Sequence, residues 1–183
     1  MPQGSLFTYA PASAKPKPRP KTLASARRDV LDQLDDGVLC PCCGLFAKRY
    51  RRRLYAGMAA ALIALVRLDR DSEDDWHHKR DVAAWFRRRG LTPPSGPLDG
   101  GDFAKLRWWG LIEEQSNDDE KKRTSGLWRP THLGVLFACG RQSVPSHAIT
   151  FDRNCEGLDG DWVSAEDCLG KGFNYSELMG STP

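Results

Sequence analysis

The sequence predicts an α+β protein: a core of three helices and a two-stranded β flap, with a cysteine knuckle in front and a small hairpin-and-helix appendage behind. Three observations predict it. Apolar residues recur at helical spacing through Leu54–Val66, and shorter apolar faces recur at Val82–Phe86 and Phe103–Trp109. Two short runs, LIEEQ and LWRPT, flank the polar segment SNDDEKKRTSG, which reads as strand, loop and strand. The 183 residues, 40% of them hydrophobic, suffice for one ordinary domain with small attachments.

Charge is informative through its placement. The 27 Lys and Arg against 24 Asp and Glu leave only +3, but the charges come in blocks. Residues 1–21 end in PASAKPKPRPK, where alternating Pro and Lys with no acid builds neither helix nor sheet. They read as a basic tail, either solvated or lying along phosphates. The most apolar stretch, LYAGMAAALIALV, is shorter than the ~18–20 residues a membrane-spanning helix needs, so no membrane role is expected. The opening MPQGSLFTYA lacks the layout of a secretory signal, and the expected location is the cytoplasm.

Residues 22–49 are expected to hold a short helix and the knuckle. In TLASARRDVLDQLDDGVL, Leu23, Val30, Leu31 and Leu34 follow helical spacing up to Gly37. In the core region, residues 50–140, the long helix carries Leu54, Tyr55, Met58, Ala61, Leu62, Leu65 and Val66 on its inner face. Its opening turns hold Arg51, Arg52 and Arg53, the wrong sign for a helix N-terminus, which points to anion binding or to plain solvation. Ser72 or Asp74 is expected to cap a second helix, HHKRDVAAWFRRRG, stopped by Gly90. After the Pro- and Gly-rich loop LTPPSGPLDGG, Asp99 or Asp102 caps a third helix over Asp102–Trp109, with Phe103, Leu106 and Trp109 inward and Ala104, Lys105, Arg107 and Trp108 outward. The loop between the two strands, within 115–126, bears Lys121, Lys122 and Arg123 behind three acids. Thr131 caps a closing helix with Leu133, Leu136 and Phe137 inward.

In residues 141–183, His147–Phe151 and Asp161–Val163 read as strands joined through a Gly-rich turn. Ser164 and Asp167 have the spacing of a capping box. Too poor in hydrophobic residues to stand alone, this stretch is expected to pack on the core.

Helix, helix, short helix, strand, charged loop, strand and helix is the order of a winged helix. At LRWWGLIEE and SGLWRPTHLG, the chain resembles winged-helix proteins over about residues 50–140. The resemblance implies that the Asp102–Trp109 helix enters the DNA major groove while the 115–126 wing touches backbone or minor groove. The layout with a CPxCG knuckle in front also resembles small uncharacterised phage and prophage proteins, which implies no activity.

Six cysteines without an export signal argue against a disulfide framework. Cys40-Pro41-Cys42-Cys43-Gly44 matches the CPxCG turn of zinc ribbons, in which thiolates at Cys40 and Cys43 point at one tetrahedral ion. No second CxxC or HxxxH pair completes four ligands; the remaining candidates are Cys42, His77, His78, His132, Cys139, His147, Cys155 and Cys168. A structural zinc and a metal-free reduced turn both stay open.

The expected function is non-enzymatic binding of double-stranded DNA, as a regulator of phage type, through Lys105, Arg107, Trp108, the wing cations Lys121, Lys122 and Arg123, and Arg51, Arg52 and Arg53. The alternative is a protein-binding adaptor or inhibitor on the same frame, anchored by Trp108. No Ser-His-Asp spacing or glycine-rich phosphate loop points to an enzyme. Oligomeric state is not legible.

Overall fold

The computed structural model describes residues 22–117 and 124–180. It is a mixed α+β chain in two compact units divided between Lys48 and Arg49. The wing cations Lys121, Lys122 and Arg123, and the basic tail of residues 1–21, lie outside the described residues.

In the smaller unit, Thr22 caps α1 (Leu23–Leu31) by accepting a hydrogen bond from the Ser25 amide at 3.1 Å. The chain then turns at Gly37, whose φ of +89° suits a residue without a Cβ, because a Cβ there would strike the Phe46 ring. β1 (Val38–Leu39) and β2 (Phe46–Ala47) pair antiparallel, with Leu39 opposite Phe46, and carry the cysteine knuckle between them.

The larger unit opens on β3 (Tyr50–Arg53), and the long helix, α2 (Ala56–Asp71), starts only after it. The expectation that Arg51–Arg53 form the opening turns of the helix is thus corrected. Cations disfavoured at a helix N-terminus sit instead in a strand, where no macrodipole opposes them. Residues Gly57 to Val66 of α2 are all buried. A helix apolar on every side belongs in a core, and α2 is packed by α3 (Lys79–Arg88), α4 (Ser95–Asp99), α5 (His132–Ala138), α6 (Ala165–Leu169) and α7 (Tyr175–Met179). Gly57 and its run of alanines permit this crowding; a Cβ on Gly57 would lie 3.3 Å from the Pro94 Cβ.

Between α2 and α3, His77 and His78 form β4. Neither Ser72 nor Asp74 caps α3. His78 does, its Nδ1 accepting from the Arg80 amide at 3.0 Å while the Asp81 carboxylate accepts from the His78 amide at 2.8 Å. The stretch expected to be all loop contains α4, and Phe103–Trp109 is a 3₁₀ helix ended by Gly110 at φ +68°. β5 (Ile112–Glu114) and β6 (Leu127–Pro130) follow, and β6 lies between β4 and β5 in a three-stranded sheet.

β7 (Val144–Phe151) pairs with both β3 and β8 (Asn154–Val163) in a second three-stranded sheet. The expected Gly-rich turn is corrected: Asp152 and Arg153, with φ of 45° and 65°, close a two-residue hairpin, and Gly157 and Gly160 lie within β8. Left-handed backbone at both turn positions gives the twist that a tight hairpin needs. Val144, Ala148, Ala165, Leu169 and Leu178 enter the same buried cluster as Leu62, Phe86 and Phe103. Among the described residues no helix is long and apolar enough to cross a membrane.

Candidate nucleic-acid interface

The 3₁₀ helix decides which side chains can act together. With three residues per turn, every third side chain eclipses the one before. Phe103, Leu106 and Trp109 therefore share one stripe, and all are buried. Lys105 and Trp108 share the second stripe, with the Lys105 ammonium 5.9 Å from the Trp108 ring centroid. Arg107 belongs to the third stripe with Ala104, and turns to Glu114 on β5 at 3.6 Å. The expected outward set of Lys105, Arg107 and Trp108 is thereby split between two stripes, because this helix repeats every three residues and not every 3.6.

Lys105 and Trp108 face the arginine strand. Together with Arg51, Arg52 and Arg53 they line a cleft of about 270 Å³, with Tyr55, Trp109, Met58 and Asp102 completing its wall. Three causes bring these residues together. β3 is held by β7, with Arg53 opposite His147 and Arg51 opposite Ile149. The indole N–H of Trp109 donates to the Pro145 carbonyl at 2.7 Å, which ties the 3₁₀ helix to the start of β7. The Tyr55 hydroxyl donates to Asp102 Oδ2 at 2.8 Å.

The cations differ in how free they are. Lys105 forms an ion pair with Asp102, and its side chain is about one-third exposed. Arg51 donates to Asp159 at 2.9 Å and Arg49 to Glu156 at 2.5 Å, both acids lying on β8. Arg52 rests over the Tyr50 ring at 5.0 Å. Arg52 and Arg53 are exposed, and neither has a carboxylate bound among the described residues. Arg52 and Arg53 are thus the cations most available to an anion.

The local field acts on the neighbouring acids and bases. Burial works to raise the Asp102 carboxyl, but hydrogen bonds from Lys105 and Tyr55 and the charges of Lys105 and Arg52 outweigh it, holding Asp102 below its ordinary range. Burial, then the Asp102 bond, pushes the Tyr55 hydroxyl up. Burial and the charges of Arg51 and Arg53 lower His147 against the opposing pull of Asp159 and Asp161, so the ring is favoured neutral; its Nδ1 lies 2.9 Å from Ser146 Oγ.

The adaptor alternative looked to Trp108 as an anchor, but that ring is only half exposed and is engaged by Lys105. The tryptophan that stands out is Trp162 on β8, 67% exposed; periodicity does not single it out, because the sequence marks only Asp161–Val163 of that ten-residue strand. In the smaller unit Cys42 and Cys43 are exposed and Cys40 half-buried. Among the described residues no three His, Cys, Asp or Glu side chains gather as a complete metal site.

Against known proteins, the chain matches no family model, no curated protein and no solved structure.

Proposed function

We propose that the protein is a non-enzymatic double-stranded DNA-binding protein, a regulator of phage type acting in the cytoplasm, and that it grips duplex phosphates through the cleft between β3 and the 3₁₀ helix. The observation that carries this reading is the convergence of Arg51, Arg52, Arg53 and Lys105 around one opening. Guanidinium groups pair with phosphate oxygens in bidentate fashion, and each neutralised phosphate releases counterions.

Duplex is favoured over single strand by the state of the aromatic rings at and beside the cleft. Sequence-tolerant binding of single strands relies on open ring faces for base stacking. Trp109 is buried and bonded to Pro145, Trp108 carries Lys105, and Tyr50 carries Arg52. A winged-helix reading of the larger unit fits the same proposal. α2, β4, α3, the short helical segments, β5 and β6 follow in that order, and β6 lies between β4 and β5.

A salt series tests the proposal directly. Binding of the full chain to a random duplex should weaken steeply between 50 and 200 mM salt, roughly 40- to 150-fold for three or four neutralised phosphates. Binding that is flat with salt, or tighter to single strands than to duplex, overturns it.

A second reading, a protein-binding adaptor, is favoured by one observation: Leu158 and Trp162 are exposed on the outer strand β8, where a partner chain could pair.

A further inference from the structure

The cysteine knuckle plays no part in the DNA reading. We propose that it is half of a zinc site, completed by the same knuckle of a second copy of the chain, so that Cys40 and Cys43 of each copy together hold one ion. The inference stands independently of DNA binding.

The turn is built as a ligand loop. The Cys40 amide donates to the Leu45 carbonyl and the Gly44 amide to the Cys40 carbonyl, each at 2.8 Å, closing residues 40–45 between β1 and β2. Gly44 sits at φ +72° with nothing within 4 Å of where a Cβ would stand. Cys40 and Cys43 thus stand three residues apart on one closed turn, the spacing at which two thiolates can share an ion.

A structural zinc needs four ligands in tetrahedral array. Among the described residues no third and fourth donor join the knuckle. Residues 1–21 contain neither Cys nor His. Within the larger unit most candidates are already engaged: His77 is buried beside Asp69, His78 caps α3, His147 is bonded to Ser146, and the Cys155 thiol donates to the Gly157 carbonyl. Cys168 is buried, and burial pushes its thiol up to about 11, away from the thiolate that a metal requires. A second knuckle supplies the two missing thiolates without dismantling any of these bonds.

The surroundings fit a knuckle that meets its own kind. Leu39, Leu45 and Phe46 flank the thiols and are 64%, 71% and 59% exposed. Three large apolar side chains beside exposed thiols are covered when two such turns close on one ion, and their contact keeps water from the thiolates. Binding turns four thiols into four Zn–S bonds and releases their protons to solvent, with no change of oxidation state.

The test uses the full chain, reduced and stripped of metal, titrated with Co²⁺ and then Zn²⁺. The expected result is the visible absorption of a tetrahedral four-thiolate Co²⁺ site, saturating at one ion per two chains, with a doubling of mass in sedimentation. Zn²⁺ displaces the colour and keeps the mass. Cys43→Ser abolishes both signals while its far-ultraviolet circular dichroism matches the wild-type apo chain, and Cys42→Ser retains both. One ion per chain at monomer mass, absence of the cobalt bands, or undiminished binding by Cys43→Ser overturns the proposal. Loss of binding in Cys42→Ser likewise overturns the assignment of Cys40 and Cys43 as the ligand pair.

Discussion

Tyr55 and Asp102, 47 residues apart, are joined by a hydrogen bond of 2.8 Å that ties the N-terminus of α2 to the residue before the 3₁₀ helix. Asp102 also accepts from Lys105, so this one carboxylate organises a wall of the cleft. Removing the hydroxyl leaves a partly buried acid with one bond fewer. Tyr55→Phe should lower unfolding free energy by about 1–2 kcal/mol in urea titration. Duplex affinity should change little, because the exposed arginines stay in place.

Arg52→Glu with Arg53→Glu strikes the two exposed cations with no bound carboxylate among the described residues. The double variant should lose affinity for duplexes of any sequence and lower the salt slope by about 2, as two phosphate contacts disappear. An unchanged slope in fluorescence-anisotropy titrations would place the phosphates elsewhere.

Arg107→Ala serves as the contrast. Its guanidinium lies on a different stripe from Lys105 and is turned to Glu114 at 3.6 Å. Affinity should stay within about twofold of wild type, since a half-exposed ion pair facing away from the cleft contributes little. A tenfold loss would mean that the 3₁₀ helix, not the arginine strand, meets the nucleic acid.

His147 reports on the same arginines. Burial, Arg51 and Arg53 depress its pKa below the ordinary imidazole value of about 6.5, outweighing Asp159 and Asp161. A group whose folded pKa is depressed contributes stability fully above its unfolded pKa and loses it as pH falls through the folded one. Stability should therefore fall as pH drops below about 6.5, and His147→Gln should flatten that decline; His78, also lowered, supplies the part that remains. Duplex bound over Arg51 and Arg53 shields their charge, so the His147 ring titration followed by NMR should move upward when DNA is added.

Gly134 lies in α5 against the Leu111 carbonyl, and a Cβ there would overlap that oxygen. Gly134→Ala should lower stability at or beyond the upper end of about 1–3 kcal/mol, as an overpacked contact between two backbones has no flexible end to move aside.

Local pattern made several of these features legible. The apolar surround of α2, the Phe103, Leu106 and Trp109 stripe, and the caps at Thr131 and Ser164 all follow from residues within one or two turns of each other. The arginine strand was not legible. Tyr50–Arg53 has no apolar alternation, and what makes it a strand is β7, whose Thr150 lies opposite Tyr50 a hundred residues later. The hairpin at Asp152 and Arg153 has no glycine to mark it, and the two-residue β4 is too short for any period. Charge marks Arg51–Arg53, and the outward face of the third helix marks Lys105 and Trp108. Their meeting in one cleft depends on Tyr55 with Asp102 and Trp109 with Pro145, tertiary bonds that no spacing encodes.

β3 is the outer margin of its sheet, pairing with β7 on one side only. Such a margin carries unpaired amides and carbonyls that invite another strand to dock and the sheet to grow. Three consecutive arginines make that margin mutually repulsive between molecules at neutral pH. The side chains that would recruit a polyanion are therefore also the chain's guard against self-stacking. A bound duplex, by cancelling their charge, would have to take over that guarding by covering the strand itself.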